Sequence, residues 1–567
     1  MNYLKTSFFF LVGCLPLFAE FESAENHLIK PYLKRVLSSG KRVANAPLVY
    51  KKIILIGDNC PHPDFKDVDN DGVAFCDINV PGSSKKLQKK LEDSYINQPL
   101  TKESVTNLRQ SIQEYYNSQH HPLVQISVPE QDITDGVVQV HVVESKLAQV
   151  AVEGSAHTSP ALMKNYLGLK ENEPIDVQQL RKNVDFMNRN PFRQVNLIYG
   201  PGTASDTTDI SLLVNDRRPL RFYAGTNDYG IETIQRGRIF AGFNSSKLFN
   251  LDHFITYQYT TSYDLESFQS NTGQYTAYLP WRNVLNLYGG YSRVKADLPM
   301  PGARSTGESI QASGRYEIPL NPAGNFFHTV GFGFDFKRTN NTIEFSELYS
   351  VVGQNVNLSQ FMGSYVGSFE KGSSRLDFEG EVYFSPGAMM PQESNADYAT
   401  LRPGAKNHWV YGKIMTKYLQ KLSYSCELYL AARGQLSSQN LLPSEQIGLG
   451  GFNTVRGYDE RQLNYDSGIV CNGEIRSPAI SVLSGKRNKS FKDALQILGF
   501  IDYGYGNNKQ LLPGEPNNDY LLGVGPGVRY TIDPWLTARL DVGFKLHNQE
   551  IFTGGSTMWY FGFIANI

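Results

Sequence analysis

From Arg218 to Ile567 the sequence carries no helical periodicity; runs of about ten residues alternate in hydrophobicity instead, separated by Gly, Asn, Asp and Pro. In the stretch 536–546, Leu536, Ala538, Leu540, Val542, Phe544 and Leu546 share one face of a strand. Thr537, Arg539, Asp541 and Lys545 share the other. Leu422, Tyr424, Cys426, Leu428 and Leu430 oppose Ser423, Ser425, Glu427 and Arg433 in the same way, and the closing run groups Trp559, Phe561, Phe563, Ala565 and Ile567. One face suits lipid and the other water. Beyond its first residues the chain has no stretch of about 20 uninterrupted apolar residues, so any membrane-spanning structure has to be a closed β-barrel. A soluble sandwich also alternates. Its strands, however, have no use for so many of the 33 tyrosines and 32 phenylalanines at both ends, where a membrane interface favours them. Counting runs between Leu220 and Ile567 predicts about sixteen strands, and a barrel of that size leaves an aqueous lumen unless something fills it.

The first residues read as a secretory signal: Lys5, an apolar run from Phe8 to Phe18, and Ala19 as the small residue. Leu11-Val-Gly-Cys14 also resembles a lipoprotein box, which makes lipidation at Cys14 a rival reading. Either way the mature chain leaves the cytoplasm for an oxidising compartment, which favours a Cys60–Cys76 disulfide across one polar loop. Cys426 and Cys471 sit in apolar, strand-like runs, as buried or lipid-facing thiols do. The formal net charge of -1 gives a nucleic-acid partner no support.

Between Val49 and Pro219 the pattern is mixed and repeats. The first copy has a strand at 50–57, helices at 84–96 and 101–117, then strands at 124–128 and 136–143. Thr101, with Glu103 and Ser104 behind it, starts the second helix. The second copy has a strand at 147–154, helices near 159–167 and 176–188, and strands at 193–199 and 209–214. Each copy reads strand, helix, helix, strand, strand. That order, with the phrase VPEQDITDGVVQVHVVE in the first copy, resembles the POTRA modules that precede certain outer-membrane barrels, the polypeptide-transport variety in particular.

A long connection separates the strand ending near Gln435 from the one at 468–476, and it holds Gly451-Phe-Asn-Thr-Val-Arg-Gly-Tyr458. Folded back into the lumen, Arg456 becomes a cation in a confined space, which requires a carboxylate and further hydrogen bonds. In the run 498–504, Leu498, Phe500, Asp502 and Gly504 share one face and put an acid on the inward wall. These motifs, Val455-Arg456-Gly457-Tyr458 on a late loop and Phe500-x-Asp502-x-Gly504 on a later strand, resemble those of the two-partner secretion transporters. Asn472-Gly-Glu474-Ile-Arg476 and Gly523-Val-Gly-Pro-Gly-Val-Arg529 resemble that family's later strands. The final Ile567 departs from the terminal aromatic usual there.

The resemblance implies α+β periplasmic POTRA modules followed by a transmembrane antiparallel β-barrel of about sixteen strands. It divides the chain into a signal peptide (1–19), a segment with a plug helix and linker (20–48), POTRA 1 (49–145), POTRA 2 (146–217) and the barrel (218–567). It implies that Arg456 enters the barrel and pairs with Asp502. It also implies a secreted β-rich exoprotein as partner, with the outer-membrane lipid around the barrel and the barrel assembly machinery inserting it.

Asp67-Val-Asp69-Asn-Asp71-Gly72 has the spacing of a calcium loop, but its twelfth position is Ile78 rather than glutamate, and a solvated turn is the other reading. No Walker lysine loop, H-E-x-x-H or G-x-S-x-G is present, so the expectation is a protein that is not an enzyme and has no cofactor. The rival functions are an assembly factor that inserts other barrels, and a passive porin or surface adhesin.

Overall fold

The computed structural model describes residues 48–567 except 58–59, 61–70, 120, 205, 248–250, 298–303, 347–348, 352–354, 484–491, 511–516 and 548–554. The signal region, Cys14, residues 20–47, and Asp67 and Asp69 therefore lie outside the described residues.

The first module is built on β1 (Lys52–Ile56), whose sequence KIILI is buried throughout. Such a continuous apolar run belongs to a strand covered on both faces. It lies between β2 (Gly72–Cys76) and β4 (Val137–Glu144), parallel to both, with β3 (Val124–Ser127) antiparallel at the edge beside β4. Helix α1 (Ser84–Tyr95) buries Leu87, Leu91 and Tyr95, spaced four apart on one face. Helix α2 (Lys102–Ser118) starts with a capping box in which Thr101 and Ser104 satisfy each other's backbone N–H groups. From sequence, residues 72–76 read as part of a polar loop. The structure corrects this: Val73, Ala74 and Phe75 pair with β1, a parallel partnership that no local pattern announces. Cys60 and Cys76 form the expected disulfide, with Cys76 the last residue of β2.

The following elements are β5 (Lys146–Glu153), α3 (Pro160–Leu167), α4 (Val177–Asn188), β6 (Arg193–Pro201) and β7 (Thr207–Asp216), with sheet order β5-β7-β6. Asp216, closing β7, accepts hydrogen bonds from the backbone N–H groups of Ala156 (3.0 Å), His157 (2.8 Å) and Thr158 (2.7 Å).

Sixteen long staves make the closed barrel. In chain order they begin with β8 (Leu220–Asn227), β9 (Arg238–Ser245), β10 (His253–Ser262), β11 (Phe268–Tyr278), β12 (Val284–Asp297), β13 (Arg304–Pro319) and β14 (Phe326–Ser346). A three-residue strand, β15 (Tyr349–Val351), extends the β14 hairpin before β16 (Val356–Lys371), β17 (Ser374–Ser385), β18 (Trp409–Lys421) and β19 (Glu427–Ser437). Two short strands, β20 (Ile447–Leu449) and β21 (Leu463–Tyr465), then pair only with each other, as a separate two-stranded sheet. The wall resumes with β22 (Ser467–Arg476), β23 (Lys492–Asn507), β24 (Asn518–Asp533), β25 (Leu536–Lys545) and β26 (Thr557–Asn566), and β26 pairs back onto β8. Closure leaves no free edge, as a hydrocarbon environment demands.

The alternation has the expected sense. On β23, Ile497 and Ile501 are 55% exposed on the outer face, while Leu498, Phe500 and Asp502 are buried inside. Leu540, Phe544, Trp559, Phe561 and Phe563 also point outward. Two expectations are corrected. The run 422–426 is a turn and not the start of a strand: Tyr424 takes φ 57° and is 92% exposed, and β19 begins only at Glu427. Helix also returns after Arg218, as α5 (Asn395–Leu401), capped by Ser394 and Asp397.

Residues 155–166 and 181–194 belong to one compact unit with the barrel. Arg193 makes a bidentate, buried ion pair with Asp252 at the β9–β10 turn, at 2.8 and 2.7 Å. The Tyr278 hydroxyl donates to the Arg189 carbonyl (2.9 Å), and Arg282 donates to the Tyr166 carbonyl (3.1 Å). These contacts lie at the β9–β10 and β11–β12 turns, at one end of the barrel.

Burial raises the Asp216 carboxyl, but the three amides and the Thr158 side chain outweigh it and hold it below the usual carboxylate range. A lowered native pKa gives stability that is present above the unfolded value, about 4, and is lost as pH falls through the folded one. Amides 156–158 are therefore expected to lose hydrogen-exchange protection in acid, after correction for intrinsic rates, and Asp216→Asn is expected to produce the same loss at neutral pH.

Candidate functional site: an arginine tip seated in the barrel lumen

The connection between β19 and β22 is a hairpin whose stalk is β20 paired with β21. Its tip turns on glycines that need left-handed backbone: Gly450 at φ 99°, Gly451 at φ 103° and Gly457 at φ 105°. Thr454 braces the turn by donating to the Gly450 carbonyl (2.6 Å). Val455, fully buried, joins Leu449, Val470 and Leu521 in an apolar cluster that fixes the stalk against the wall.

This places Arg456, 3% exposed, on the inner face of β23. Its Nε donates to Asp502 Oδ2 (2.7 Å), its Nη2 to Asp502 Oδ1 (2.9 Å), and its backbone N–H also to Oδ2 (3.1 Å). Nη1 donates to Glu474 Oε1 on β22 (2.8 Å) and lies 3.7 Å from Asp541 Oδ1 on β25. The guanidinium stacks 3.5 Å above the Phe500 ring. Fork-shaped pairing of this kind suits arginine and no other cation.

The carboxylates are themselves held. Asn472 donates to Asp502 Oδ1 (2.7 Å) and to the Thr454 carbonyl (2.6 Å). Arg476 donates to Glu474 Oε2 (2.6 and 2.9 Å), and Arg529 to Asp541 Oδ1 (2.9 Å). Three arginines thus meet three acids, and the buried cluster balances its charge. Next in the chain, the Gly457 N–H donates to the Tyr560 hydroxyl (3.0 Å), which donates to the Tyr458 carbonyl (2.6 Å). The Tyr458 hydroxyl donates to the His547 carbonyl (2.6 Å) and accepts from the Leu522 N–H (3.3 Å). Phe452 stacks on Tyr229, ring centroids 4.6 Å apart, beneath the Arg539 guanidinium.

Glycines on the wall make the seat. A Cβ on Gly523 would collide with the Arg456 carbonyl, one on Gly543 with the Gly457 N–H, and one on Gly504 would come within 2.8 Å of Val455. On Gly525 and Gly527 it would crowd Phe500 and Asp541. The sequence G-V-G-P-G-V-R therefore has glycine at alternate positions because its inward face has to accept the tip.

The structure brings together Val455, Arg456, Gly457, Tyr458, Phe500, Asp502 and Gly504. Sequence reasoning names Asp502 as the acid, and the geometry adds Glu474, Asp541 and Asn472. Their inward parity was readable, but which strands lie beside β23 was not. Cys426 and Cys471 are free thiols of intermediate exposure. Among the described residues no group of three or more His, Cys, Asp or Glu could hold a metal, and Asp71 is the described acid of the D-x-D-x-D-G stretch.

Paired POTRA-like modules, a closed sixteen-stave barrel and a lumen-seated arginine tip define an outer-membrane transporter of polypeptides. The profile of the haemolysin secretion/activation protein ShlB/FhaC/HecB family matches residues 206–530, the ShlB-type POTRA domain matches residues 76–145, and the chain belongs to this family. It is an outer-membrane, two-partner secretion transporter with N-terminal modules in the periplasm. The outer membrane transporter CdiB of Dickeya dadantii (strain 3937) is 22% identical over 486 residues, 81% of this chain and 80% of that protein. The heme/hemopexin transporter protein HuxB of Haemophilus influenzae (strain 86-028NP) is 21% identical over 473 residues, 80% of each chain. In fold, CdiB from Escherichia coli superposes with a TM-score of 0.77 at 14% identity, over 94% of this chain and 93% of that one. CdiB from Acinetobacter baumannii gives 0.67 at 17%, over 93% and 91%. The chain enters β8 from the periplasm, so the β9–β10 turn is periplasmic and the β19–β22 connection, at the other end of the staves, enters from the extracellular side.

Removing one partner of a buried pair strands the other charge, at about 3–5 kcal/mol. Asp502→Ala is expected to release the tip by that amount, exposing Arg456 and Arg461 to trypsin in detergent-solubilised protein. Gly523→Ala is expected to do the same by steric displacement. Asp541→Asn, whose Oδ1 pairs with Arg529 and lies 3.7 Å from the Arg456 guanidinium, is expected to leave the tip protected.

Proposed function

We propose that the barrel passes an unfolded, β-rich exoprotein of haemolysin or adhesin type through its lumen, and that the seated arginine tip is part of that conduit. The observation that carries this reading is the buried Arg456 between Asp502 and Glu474 on a glycine-lined wall. A passive pore would leave the N-terminal modules unexplained.

In this reading a signal at residues 1–19 directs export and residues 20–48 supply a plug and linker. Two periplasmic modules, 49–145 and 146–217, receive the cargo ahead of the barrel at 218–567. β2 and β3 border the first sheet and β5 and β6 the second, the positions at which an extended cargo adds a strand. The outward aromatic face contacts outer-membrane lipid, and the barrel assembly machinery inserts the chain. The protein performs no chemistry on its cargo, so net export draws on the folding of the exoprotein outside the cell. Val455, Gly457 and Tyr458 shape the tip, and Phe500, Asp502 and Gly504 shape its seat.

Arg456→Ala is expected to lower export of the cognate exoprotein by roughly tenfold or more, given the stranded carboxylates, while the barrel keeps its heat-modifiable gel mobility. Undiminished export would sink the reading. Depletion of the chain is expected to strand one exoprotein; a general fall in outer-membrane proteins would favour an assembly factor.

A further inference from the structure

Another buried arginine–aspartate pair lies away from the tip, at the extracellular mouth. The segment 386–408 between β17 and β18 is folded rather than splayed. Glu393 accepts from the Met389 and Met390 backbone N–H groups (2.8 and 2.9 Å), and the capped helix α5 follows. Helix α5 packs on β16. Its Tyr398, together with Trp409, Leu441 and Leu442, is buried in a cluster with Leu358 and Tyr411. Leu358, Tyr383 and Tyr411 are inward-facing residues of β16, β17 and β18, so the segment folds into the mouth against the inner wall.

Arg402, just after α5, fastens it. Its Nη1 donates to Asp466 Oδ1 (2.6 Å) and the Leu441 carbonyl (2.8 Å), and its Nη2 to Asp466 Oδ2 (3.3 Å) and Asn508 Oδ1 (3.2 Å). Asp466, fully buried, also accepts from the N–H groups of Leu441 (2.9 Å) and Lys509 (3.1 Å). One guanidinium therefore ties together three extracellular connections, those after β17, β19 and β23. A charge buried this way fixes one arrangement, because an alternative that parts the pair strands an acid out of water.

We propose that Arg402 and Asp466 form an outer lock, separate from Arg456 and Asp502, which holds segment 386–408 as a lid in the mouth until cargo displaces it. This rests on the reading that cargo crosses the lumen. Arg402 acts as a positioning residue and touches no cargo in the closed state.

The test labels the full-length protein in the outer membrane of intact cells with a membrane-impermeant polyethylene-glycol maleimide. A cysteine is placed under the lid (Leu358→Cys), with Cys426→Ser and Cys471→Ser. With the lock intact, labelling is expected to be slow. Arg402→Ala is expected to speed it roughly a hundredfold, the population factor that loss of a buried partner implies. The near-isosteric Asp466→Asn is expected to speed it as well, and it serves if Arg402→Ala does not insert. Arg456→Ala is expected to leave it slow. Fast labelling with the lock intact, unchanged labelling in Asp466→Asn, or equal acceleration by Arg456→Ala would each overturn the proposal. No cargo takes part, so failure of the lid is read separately from failure of the transport route, which only the export assay reports.

Discussion

A guanidinium withdrawn from water needs acids fixed in place to receive it, and that requirement organises the barrel's interior. The Arg456 guanidinium gives two hydrogen bonds to Asp502 and one to Glu474, and it lies on the Phe500 ring. Four adjacent staves, β22 to β25, each supply something to this one cation or to the acids around it. Had the hairpin stayed outside, Asp502 and Glu474 would face the lumen with no loop cation between them. The interaction is better understood as specifying a conformation than as adding stability, since a well-packed apolar core could be as stable.

Backbone shape matters as much as charge here. The tip can approach the wall only because Gly523 and Gly543 present no side chain, and it can turn only because Gly450, Gly451 and Gly457 adopt left-handed angles. Tyr458 and Tyr560 then complete the seating by bonding to backbone groups on both sides of the contact. At the mouth, Arg402 and Asp466 repeat the same physics on different elements, joining loops where the first pair joins a loop to a wall. The two charge pairs therefore sit at two depths of one barrel.

Much of this was legible in the sequence, for identifiable reasons. Alternation fixed which side of each stave faces lipid, so Asp502 and Phe500 were placed inward from parity alone, and the Val455–Tyr458 motif pointed to its partner. Whatever depended on long-range pairing was not legible. The parallel strand β2 looked like loop because its partner lies across the module, and Glu474 and Asp541 were inward acids with no known neighbour until strand adjacency was set. Leu422 to Cys426 misled because apolar residues at a hairpin end mimic alternation, whereas Tyr424 is in fact a left-handed turn residue. Helix α5 carried a readable cap at Ser394 and Asp397, but its seven residues are too few to show a helical period against a background of strands.

The most direct measurement is a double-mutant cycle on Arg456 and Asp502, using the rate at which a maleimide reaches a cysteine at buried Thr454 in detergent-solubilised protein. If the tip is held by the contact between these two side chains, Arg456→Ala and Asp502→Ala together open it no further than either alone, a coupling of about 3 kcal/mol. Additive effects, agreeing within about 0.5 kcal/mol, would mean that the two residues act separately, and the account of the lumen given above would be wrong.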